Sequence, residues 1–534
     1  MSKKLQSCVV LLIFTGSVFI TSGKFVNATN TPKLYFVIAT LLVVVAINAI
    51  HTKKINRGIL SSKATLWGIN IICFIQACYG LCQFAGWLPS NHSKFAITGS
   101  FDNPAGFASV LAIGFPISLF LHSKSKNVAK YLASIILLVL AIAVFFSESR
   151  TGMLSILISS IVFVLFQANI VGKFRQFRYC KLLTIVMMIC LLSGAYILYL
   201  QKKDSANGRL LIWKVSAKMI RDKPILGHGY GAFQSGYMDY QAAYFKNNPG
   251  SNFSQLADNV KHPFNEFIKV AVEFGLIGLA IILSIILFVL WKLIKSKHEK
   301  GGLVLSGLAS FLVFACFSYP LQYVAVWVLL AFYILMFLPS KEISINNTPI
   351  TVITRGAIFI ACVLCLFYTC KQVNAEMKWK TIAMNSLRGN TKKMLPEYKK
   401  LYSTSLKQNP FFLYNYGAEL NVAGKFDTSI EILTECKKRF NDYDLQMLLA
   451  DNYYQKGEVE RAIEVYKYAS NMVPCRFLPL YNQFEIYKET AQYSDAAKCA
   501  NDIASKKIKV PSYTIRSIKA QAENYLKESE KQVW

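Results

Sequence analysis

The sequence predicts an all-α membrane protein: a bundle of about eleven transmembrane helices, a long outward-facing loop and a C-terminal domain of helical repeats. Three observations lead to this prediction. Of the 534 residues, 54% are apolar, and many fall in runs of the roughly 20 residues that cross a bilayer core. Most basic residues before residue 371 lie in short clusters between these runs. Beyond that residue the apolar runs stop and a helical repeat begins.

The apolar runs define the predicted membrane domain, residues 1–370. The run after Lys3 and Lys4 is interpreted as a retained first helix, because further spans follow it. The predicted spans lie near residues 5–22, 33–50, 65–88, 105–121, 131–146, 151–167, 182–200, 266–291, 302–317, 322–338 and 352–370.

Charge clusters predict the orientation. Every second gap between spans, starting with residues 51–64, is rich in lysine and arginine, which is typical of cytoplasmic loops. The N-terminus is then cytoplasmic, and the 201–265 loop and the chain beyond residue 371 lie outside. A net charge of +30 can also indicate nucleic-acid binding, but lysines confined to alternate loops are explained by topology.

The C-terminal part predicts paired helices. Gly424 and Gly457 lie 33 residues apart, and Ser429 and Ala462 repeat this spacing. The pattern resembles a tetratricopeptide repeat, in which small residues let two helices pack closely. We therefore predict a helical linker over residues 371–410 and a tetratricopeptide-like domain over 411–534. Such a domain binds a partner protein or peptide, or serves as a spacer or folding cap.

Two arginines at the predicted outer membrane edge are candidates for binding an anion. Arg150 lies in a very short turn between two spans, where its guanidinium can bind a phosphate through two hydrogen bonds, or pair with Glu148 and lipid headgroups. Arg209 lies near the predicted start of a helix, four residues before Trp213. A cation there is unfavourable unless an anion also binds, although a solvated arginine is equally compatible with the sequence.

His262 is the candidate general base. It lies just before the 266–291 span, and a neutral imidazole can accept a proton from a hydroxyl group. Pro263 suits the first turn of that helix. His228 is a second histidine of the same loop, but its position between two glycines is typical of a turn.

The turn before the 105–121 span is a fourth candidate. Asn103 and Pro104 predict a helix start whose N–H groups face outward and can bind an anion or a sugar hydroxyl, or are simply capped by Asp102 or Asn103. No pair of residues has metal-ligand spacing, so the sequence predicts neither a metal site nor a cofactor.

Taken together, these motifs resemble the O-antigen ligase/polymerase superfamily, which includes protein O-oligosaccharyltransferases. The matching segments are the turn at 103–104 (NP), residues 149–152 (SRTG), 209–213 (RLLIW), 224–231 (PILGHGYG), 262–266 (HPFNE) and 273–278 (EFGLIG). The resemblance covers roughly residues 35–340, and the spaced set is far more specific than any single motif.

The resemblance implies a metal-independent transferase on the outer face of a bacterial inner membrane. It implies a lipid-linked donor, a glycan on undecaprenyl diphosphate, and a hydroxyl acceptor on a lipid A core sugar, a protein serine or threonine, or another glycan. By motif, His262, Arg150 and Arg209 are the expected catalytic residues. Residues expected to bind substrate are Asn103, Trp213, His228, Asn265 and Glu266.

Other functions remain open from the sequence. A polymerase of the same superfamily would use the same donor and extend a glycan. A polysaccharide or lipid transporter belongs to a different class, and it would carry ionisable groups near the middle of the membrane and repeats between its halves. The candidate residues cluster instead at the outer edge, which favours the transferase.

Overall fold

The computed structural model describes residues 3–51, 54–55, 62–167, 203–295, 300–337, 343–344 and 349–532. The chain divides into two compact units. Unit 1 comprises Met1–Ala195, Phe264–Glu266 and Ile281–Lys380, and unit 2 comprises Tyr196–Pro263, Phe267–Ala280 and Thr381–Trp534.

Apolar helices dominate the first part of the chain. In chain order they are α1 (Lys3–Phe19), α2 (Asn30–His51), α3 (Lys63–Phe84), α4 (Pro104–Lys124), α5 (Asn127–Phe146) and α6 (Arg150–Gln167). After the 203–265 region, which holds α7 (Lys203–Asp222) and α8 (Ala232–Asn247), follow α9 (Glu266–Lys295), α10 (Gly301–Phe317), α11 (Val324–Phe337) and α12 (Pro349–Asn385).

These helices confirm the prediction of a helical multi-pass membrane protein. Seven described helices are long and apolar enough to cross a membrane, and α1, α10 and α11 are shorter apolar helices. Ten predicted spans coincide with helices of the structure, while the predicted span at 182–200 lies outside the described residues. Within the described ranges, one short antiparallel pairing joins β1 (Lys54–Ile55) to β2 (Ile343–Ser344).

The core of unit 1 surrounds α4. This helix is apolar on every side, as expected for a helix enclosed by others, and it packs against α3, α5, α6, α10 and α11. A buried serine pair fixes two of its neighbours. The Ser155 and Ser310 hydroxyl oxygens are 2.6 Å apart, and Ser310 donates to the Ala112 carbonyl of α4 at 2.8 Å. Their polar groups are therefore satisfied inside the bundle.

The C-terminal part of unit 2 consists of short helices that pack in consecutive pairs. Its helices are α13 (Thr391–Tyr402), α14 (Pro410–Val422), α15 (Phe426–Lys437), α16 (Tyr443–Gln455), α17 (Val459–Met472), α18 (Leu478–Glu489), α19 (Tyr493–Ser505) and α20 (Tyr513–Gln532). The pairs α14 and α15, α16 and α17, and α18 and α19 each pack together.

Small residues allow this close packing, as the sequence predicts. A Cβ on Gly417 would lie 2.5 Å from Leu433, and Ala462 is fully buried. Left-handed backbone ends the first helix of each pair, at Gly424, Gly457 and Ala491. The third pair therefore keeps the turn but not the glycine, which makes the repeat hard to detect by sequence. The tetratricopeptide assignment itself stays a prediction.

Helix α12 differs from the expected end of the last span. Its apolar part corresponds to the predicted 352–370 span, but the helix continues without a break to Asn385. Residues such as Lys371, Glu376 and Met377 favour helix, so a change from apolar to polar composition does not end it.

Candidate functional site

A turn and a kinked helix are joined backbone to backbone in unit 2. The turn is residues 224–231, and α9 is kinked at Gly275, which has φ +67° and ψ −169°. The His228 N–H donates to the Val272 carbonyl at 2.9 Å, and the Leu276 N–H donates to the Pro224 carbonyl at 2.8 Å. The kink exposes backbone groups of α9, and the turn satisfies them.

Two glycines make this approach possible. A Cβ on Gly275 would lie 2.1 Å from the Ile225 carbonyl oxygen, and a Cβ on Gly227 would lie 2.5 Å from the Gly275 nitrogen. Both glycines have positive φ. Each is therefore required for its backbone conformation and for the space it leaves. The two glycine-containing motifs, distant in sequence, form one structural element.

The His228 side chain belongs to the same element. Its Nε2 donates to the Met219 carbonyl at 2.8 Å, near the end of α7, and its ring packs edge-on against Tyr240 at 5.9 Å. These contacts connect the turn to α7 and α8. They agree with the turn position that its glycine neighbours indicate, and its expected contact with substrate stays a prediction.

Helix α7 carries Arg209 and Trp213 one turn apart. The Trp213 indole N–H donates to the Pro263 carbonyl at 2.9 Å, which fixes the backbone next to His262. Helix α7 already extends back to Lys203, so the expected helix start near Arg209 is wrong. The backbone N–H groups beside Arg209 lie inside the helix, and any anion there would be held by its half-buried guanidinium.

The loop that ends at Pro263 places His262 in a partly buried position. Burial, together with the ammonium groups of Lys269 and Lys261, lowers the pKa of His262 from 6.5 to about 4. The imidazole is therefore neutral at neutral pH. This is the protonation state that a general base requires before it accepts a proton.

Pro263 is not in a helix. Helix α9 begins at Glu266, and Phe264 before it has a left-handed φ of +54°. The expected first-turn position of Pro263 is therefore wrong. Its fixed φ and its carbonyl serve the hydrogen bond from Trp213 instead.

Asn265 and Glu266 fix the start of α9 within unit 1. The Asn265 side-chain N–H donates to the Cys316 carbonyl at 3.0 Å, and a Glu266 carboxylate oxygen accepts the Leu321 N–H at 3.2 Å. The Phe264 ring packs edge-on against Tyr319 at 5.3 Å. These contacts attach the segment after His262 to the end of α10 and the turn that follows it.

Asn103 caps α4 and bonds to a tyrosine 220 residues away. Its Oδ1 accepts the Ala105 N–H at 2.9 Å and the Tyr323 hydroxyl at 2.9 Å. A Cβ on Gly106 would lie 2.6 Å from the Tyr323 ring, so glycine is needed for this packing. The capping role of Asn103 is thus confirmed, while its contact with substrate stays a prediction.

The loop before Asn103 is held by buried side chains. The Gln83 amide oxygen accepts the N–H groups of Thr98 and Gly99 at 3.0 and 2.7 Å. The ammonium group of Lys33, only 1% exposed, donates to the Ser100 carbonyl at 2.6 Å. The Gln83 amide and the Lys33 ammonium group are thus bonded to the loop backbone, and they hold the loop that leads to the start of α4.

Arg150 is the first residue of α6. Ser149 caps this helix by accepting the Gly152 N–H at 3.1 Å, and Glu148 before it has φ +54°. A Cβ on Gly152 would lie 2.8 Å from Val144, so the turn between α5 and α6 is tightly packed. A half-buried arginine on a rigid turn at a helix start is suited to binding an anion.

The predicted site residues fall into two groups. Arg209, Trp213, His228 and His262 belong to unit 2, and Asn103, Arg150, Asn265 and Glu266 belong to unit 1. Tyr319 and Tyr323 were not among the predicted residues; their signal in the sequence is a pair of tyrosines in the short gap between two apolar helices. Among the residues that the structure describes, no group of three or more histidines, cysteines and acids is placed to hold a metal ion.

The fold and these residues define a helical, multi-pass membrane protein in which α7 and α8 are not among the candidate membrane spans. Residues 133–283 match the family model described as O-Antigen ligase. This segment contains every predicted site residue except Asn103. The resemblance to the O-antigen ligase/polymerase superfamily is thereby confirmed for this part of the chain.

Three relatives are similar to parts of the chain, and each is named "Putative polysaccharide ligase". The protein of Rickettsia typhi is 26% identical over 189 residues, which are 32% of this chain and 41% of the relative. The Rickettsia bellii protein is 28% identical over 178 residues, which are again 32% of this chain and 41% of the relative. The Rickettsia felis protein is 34% identical over 88 residues, which are 16% of this chain and 20% of the relative. The chain thus spans less than half the length of each relative.

Proposed function

We propose that this protein is a membrane glycan ligase. It transfers an oligosaccharide or polysaccharide from undecaprenyl diphosphate to a hydroxyl group on a lipid A core sugar or on a protein serine or threonine. The observation that carries the proposal is the fixed, partly buried and neutral His262, next to the Pro263 carbonyl that Trp213 holds. The family match over residues 133–283 and the names of the relatives support it.

The proposed reaction needs no metal. The acceptor oxygen forms a bond to the anomeric carbon of the donor, and the bond from that carbon to the diphosphate oxygen breaks. The electron pair stays on the diphosphate, and the hydroxyl proton passes to His262. Arg150 and Arg209 stabilise the negative charge that develops on the leaving group. A bound diphosphate also favours the imidazolium, so His262 is more basic when the donor is present.

The proposed topology places the reaction outside the cytoplasm. The protein has about eleven spans in a bacterial inner membrane, with a cytoplasmic N-terminus. The 201–265 region and a tetratricopeptide-like C-terminal domain over 411–534 face the periplasm. The alternating lysine and arginine clusters of the sequence support this orientation. The donor is then used on the side where surface glycans are assembled.

Transfer by the purified full-length protein in lipid nanodiscs tests the proposal. The assay supplies a glycan on undecaprenyl diphosphate and follows its appearance on lipid A core, on a peptide or on a second glycan. We expect wild-type transfer and almost none with His262→Ala. A matched control is His122→Ala, which removes an imidazole in the last turn of α4.

The product distinguishes the related functions. Single transfer to lipid A core or to protein supports the ligase and identifies the acceptor. Successive addition of glycan units to glycan would replace the ligase with a polymerase. Movement of the intact donor across the membrane without transfer would instead indicate a transporter. Normal transfer by His262→Ala would contradict the role of this residue.

A further inference from the structure

The C-terminal helices of unit 2 pack against the region that leads to His262. We call residues 232–261 the pre-His262 segment; it consists of α8 and the loop that follows. Helix α8 packs along α17. The Gln241 side chain on α8 is fully buried, and its amide donates to the Met472 carbonyl at 2.7 Å. A buried amide satisfied by the C-terminal helices shows that this contact belongs to a folded core.

The turn between α15 and α16 adds a second set of contacts. The Asn441 backbone N–H donates to the Gln234 carbonyl at 3.1 Å, and its side-chain amide donates to the Asp239 carboxylate at 2.6 Å. The Tyr468 hydroxyl donates to the same carboxylate. Asn441 is 1% exposed, so water cannot readily replace these partners.

The contacts continue to the residues immediately before His262. Asn259 donates to the Asp444 carboxylate at 2.9 Å and accepts the Tyr443 N–H at 3.1 Å. These two bonds use both ends of the Asn259 amide. They fix the backbone three residues before His262 to the start of α16.

Lys261 lies beside two adjacent aromatic rings. Its ammonium nitrogen lies 5.2 Å from the centre of the Phe411 ring and 5.5 Å from that of Phe440, and the two rings are themselves 5.3 Å apart. Cation–π attraction therefore holds the residue next to His262 against α14 and the end of α15. On the other side of His262, the Pro263 carbonyl is held by Trp213.

We propose that the C-terminal helices are an intramolecular clamp on the pre-His262 segment, in which Phe411, Phe440 and Asp444 act as positioning residues for His262 through Lys261 and Asn259. This inference rests on the proposed function for its catalytic consequence, but the clamp itself is a property of the fold. The surface that the clamp uses is occupied by the chain's own residues. A peptide or protein partner would have to bind the C-terminal helices elsewhere.

The test uses the full-length protein in nanodiscs and substitutes Phe411, whose side chain is 47% exposed. Phe411→Leu removes an aromatic ring that contacts Lys261, whereas Phe411→Tyr keeps an aromatic ring at this position. Val422→Ala is the matched control, because Val422 is 71% exposed at the end of the same helix, α14. The readouts are hydrogen exchange of residues 255–263, kcat and KM for transfer, and the pH dependence of kcat.

We expect Phe411→Leu to speed exchange at residues 255–263 and to lower kcat by about fivefold or more, with little change in the KM for the donor, because misplacing a catalytic group slows the chemical step. The acid limb of the pH profile should move upward, because a looser loop hydrates His262 and lets Lys261 move away. Phe411→Tyr and Val422→Ala should behave as wild type. A merely structural effect would not move the pH limb.

The outcomes separate this inference from the proposed function. Unchanged exchange, kcat and pH profile in Phe411→Leu, in a protein that transfers glycan, would overturn the clamp. If the wild-type protein transfers no glycan but Phe411→Leu still speeds exchange at residues 255–263 alone, the result would support the clamp and overturn the proposed function. Asn259→Ala, which removes both bonds to the start of α16, provides a second variant and should give the same pattern as Phe411→Leu.

Discussion

The indole N–H of Trp213 donates to the backbone carbonyl of Pro263 at 2.9 Å. This bond joins α7 to the residue after His262, and it explains why two motifs separated by 50 residues belong together. The indole contributes a fixed donor at a defined distance from α7, which phenylalanine at the same position would lack.

Trp213→Phe removes this donor and keeps an aromatic ring. We expect kcat for transfer to fall by roughly tenfold, because leaving one buried acceptor unpaired costs about 1–3 kcal/mol and frees the backbone next to His262. Steady-state transfer kinetics measure the effect. Trp87→Phe, at a tryptophan that is 79% exposed, is the control and should be neutral. Equal kinetics for Trp213→Phe and wild type would contradict the positioning role.

The pH dependence of catalysis reports the environment of His262. Its pKa of about 4 predicts that kcat/KM falls with decreasing pH only near pH 4, rather than near 6.5. Lys269→Met removes one of the two ammonium groups that lower this pKa, so the acid limb should move upward. Initial rates over pH 3.5–8 provide the measurement. An acid limb centred at 6.5 in wild type would show that His262 is hydrated in the working protein.

The same pKa shift predicts how stability depends on pH. His262 binds a proton near pH 6.5 when unfolded but only near pH 4 when folded, so the unfolded state binds more protons between these values. This contribution to stability is fully present above pH 6.5 and is lost as the pH falls to 4. Its upper bound is about 3 kcal/mol. Denaturant unfolding of wild type and His262→Gln at pH 7 and 4.5 measures it; the variant should lose less stability on acidification.

Long apolar runs and local capping signals predicted much of the fold. Ten predicted spans coincide with helices, and apart from the end of α12 the helix ends lie within a few residues of the predicted ones, because a run of apolar residues bounded by charges has few alternatives. A cap at Asp102 or Asn103 was among the predictions because the Asn-Pro pair is a local signal, and the structure shows that Asn103 is the cap. The C-terminal helix pairs were predicted from a repeat of small residues. Each of these features depends on neighbours close in sequence.

Contacts between distant residues were not predictable in this way. The bond from Tyr323 to Asn103 and the contact between Gly227 and Gly275 depend on how helices pack, and no local pattern encodes the partner. Some predicted helix ends were wrong for a related reason. Pro263 suits a helix start by propensity, but its carbonyl is committed to Trp213 and α9 begins at Glu266.

Gly227 and Gly231 allow the effect of close packing to be separated from that of backbone strain. Their φ values, +70° and +77°, are nearly equal. A Cβ on Gly227 would clash with the backbone of Gly275 and Glu273, whereas a Cβ on Gly231 would have no atom within 4 Å. We expect Gly231→Ala to cost about 1–2 kcal/mol from strain alone. Gly227→Ala should cost several times more and unseat the turn from α9. Thermal unfolding of both variants provides the comparison, and equal losses would contradict the close contact.

The two arginines should differ from other basic residues in their effect on donor binding. If Arg150 and Arg209 each bind the diphosphate through a planar guanidinium, substitution by glutamine should raise the KM for the donor by about 10–100-fold, since charge-assisted bonds are worth roughly 1.5–3 kcal/mol. Lysine keeps the charge but not the paired donors, so it should recover only part of this loss.

Arg221→Gln is the matched control for Arg209→Gln. Arg221 lies in the last turn of α7, is exposed, and bonds to the Ala217 carbonyl of its own helix. The Arg221→Gln substitution should leave the KM for the donor unchanged. The measurement is transfer at varied donor concentration with saturating acceptor, with donor binding measured separately by isothermal titration. If Arg209→Gln lowered kcat but left donor binding intact, Arg209 would stabilise the departing diphosphate rather than hold the bound donor, because an interaction made only in the transition state changes kcat alone.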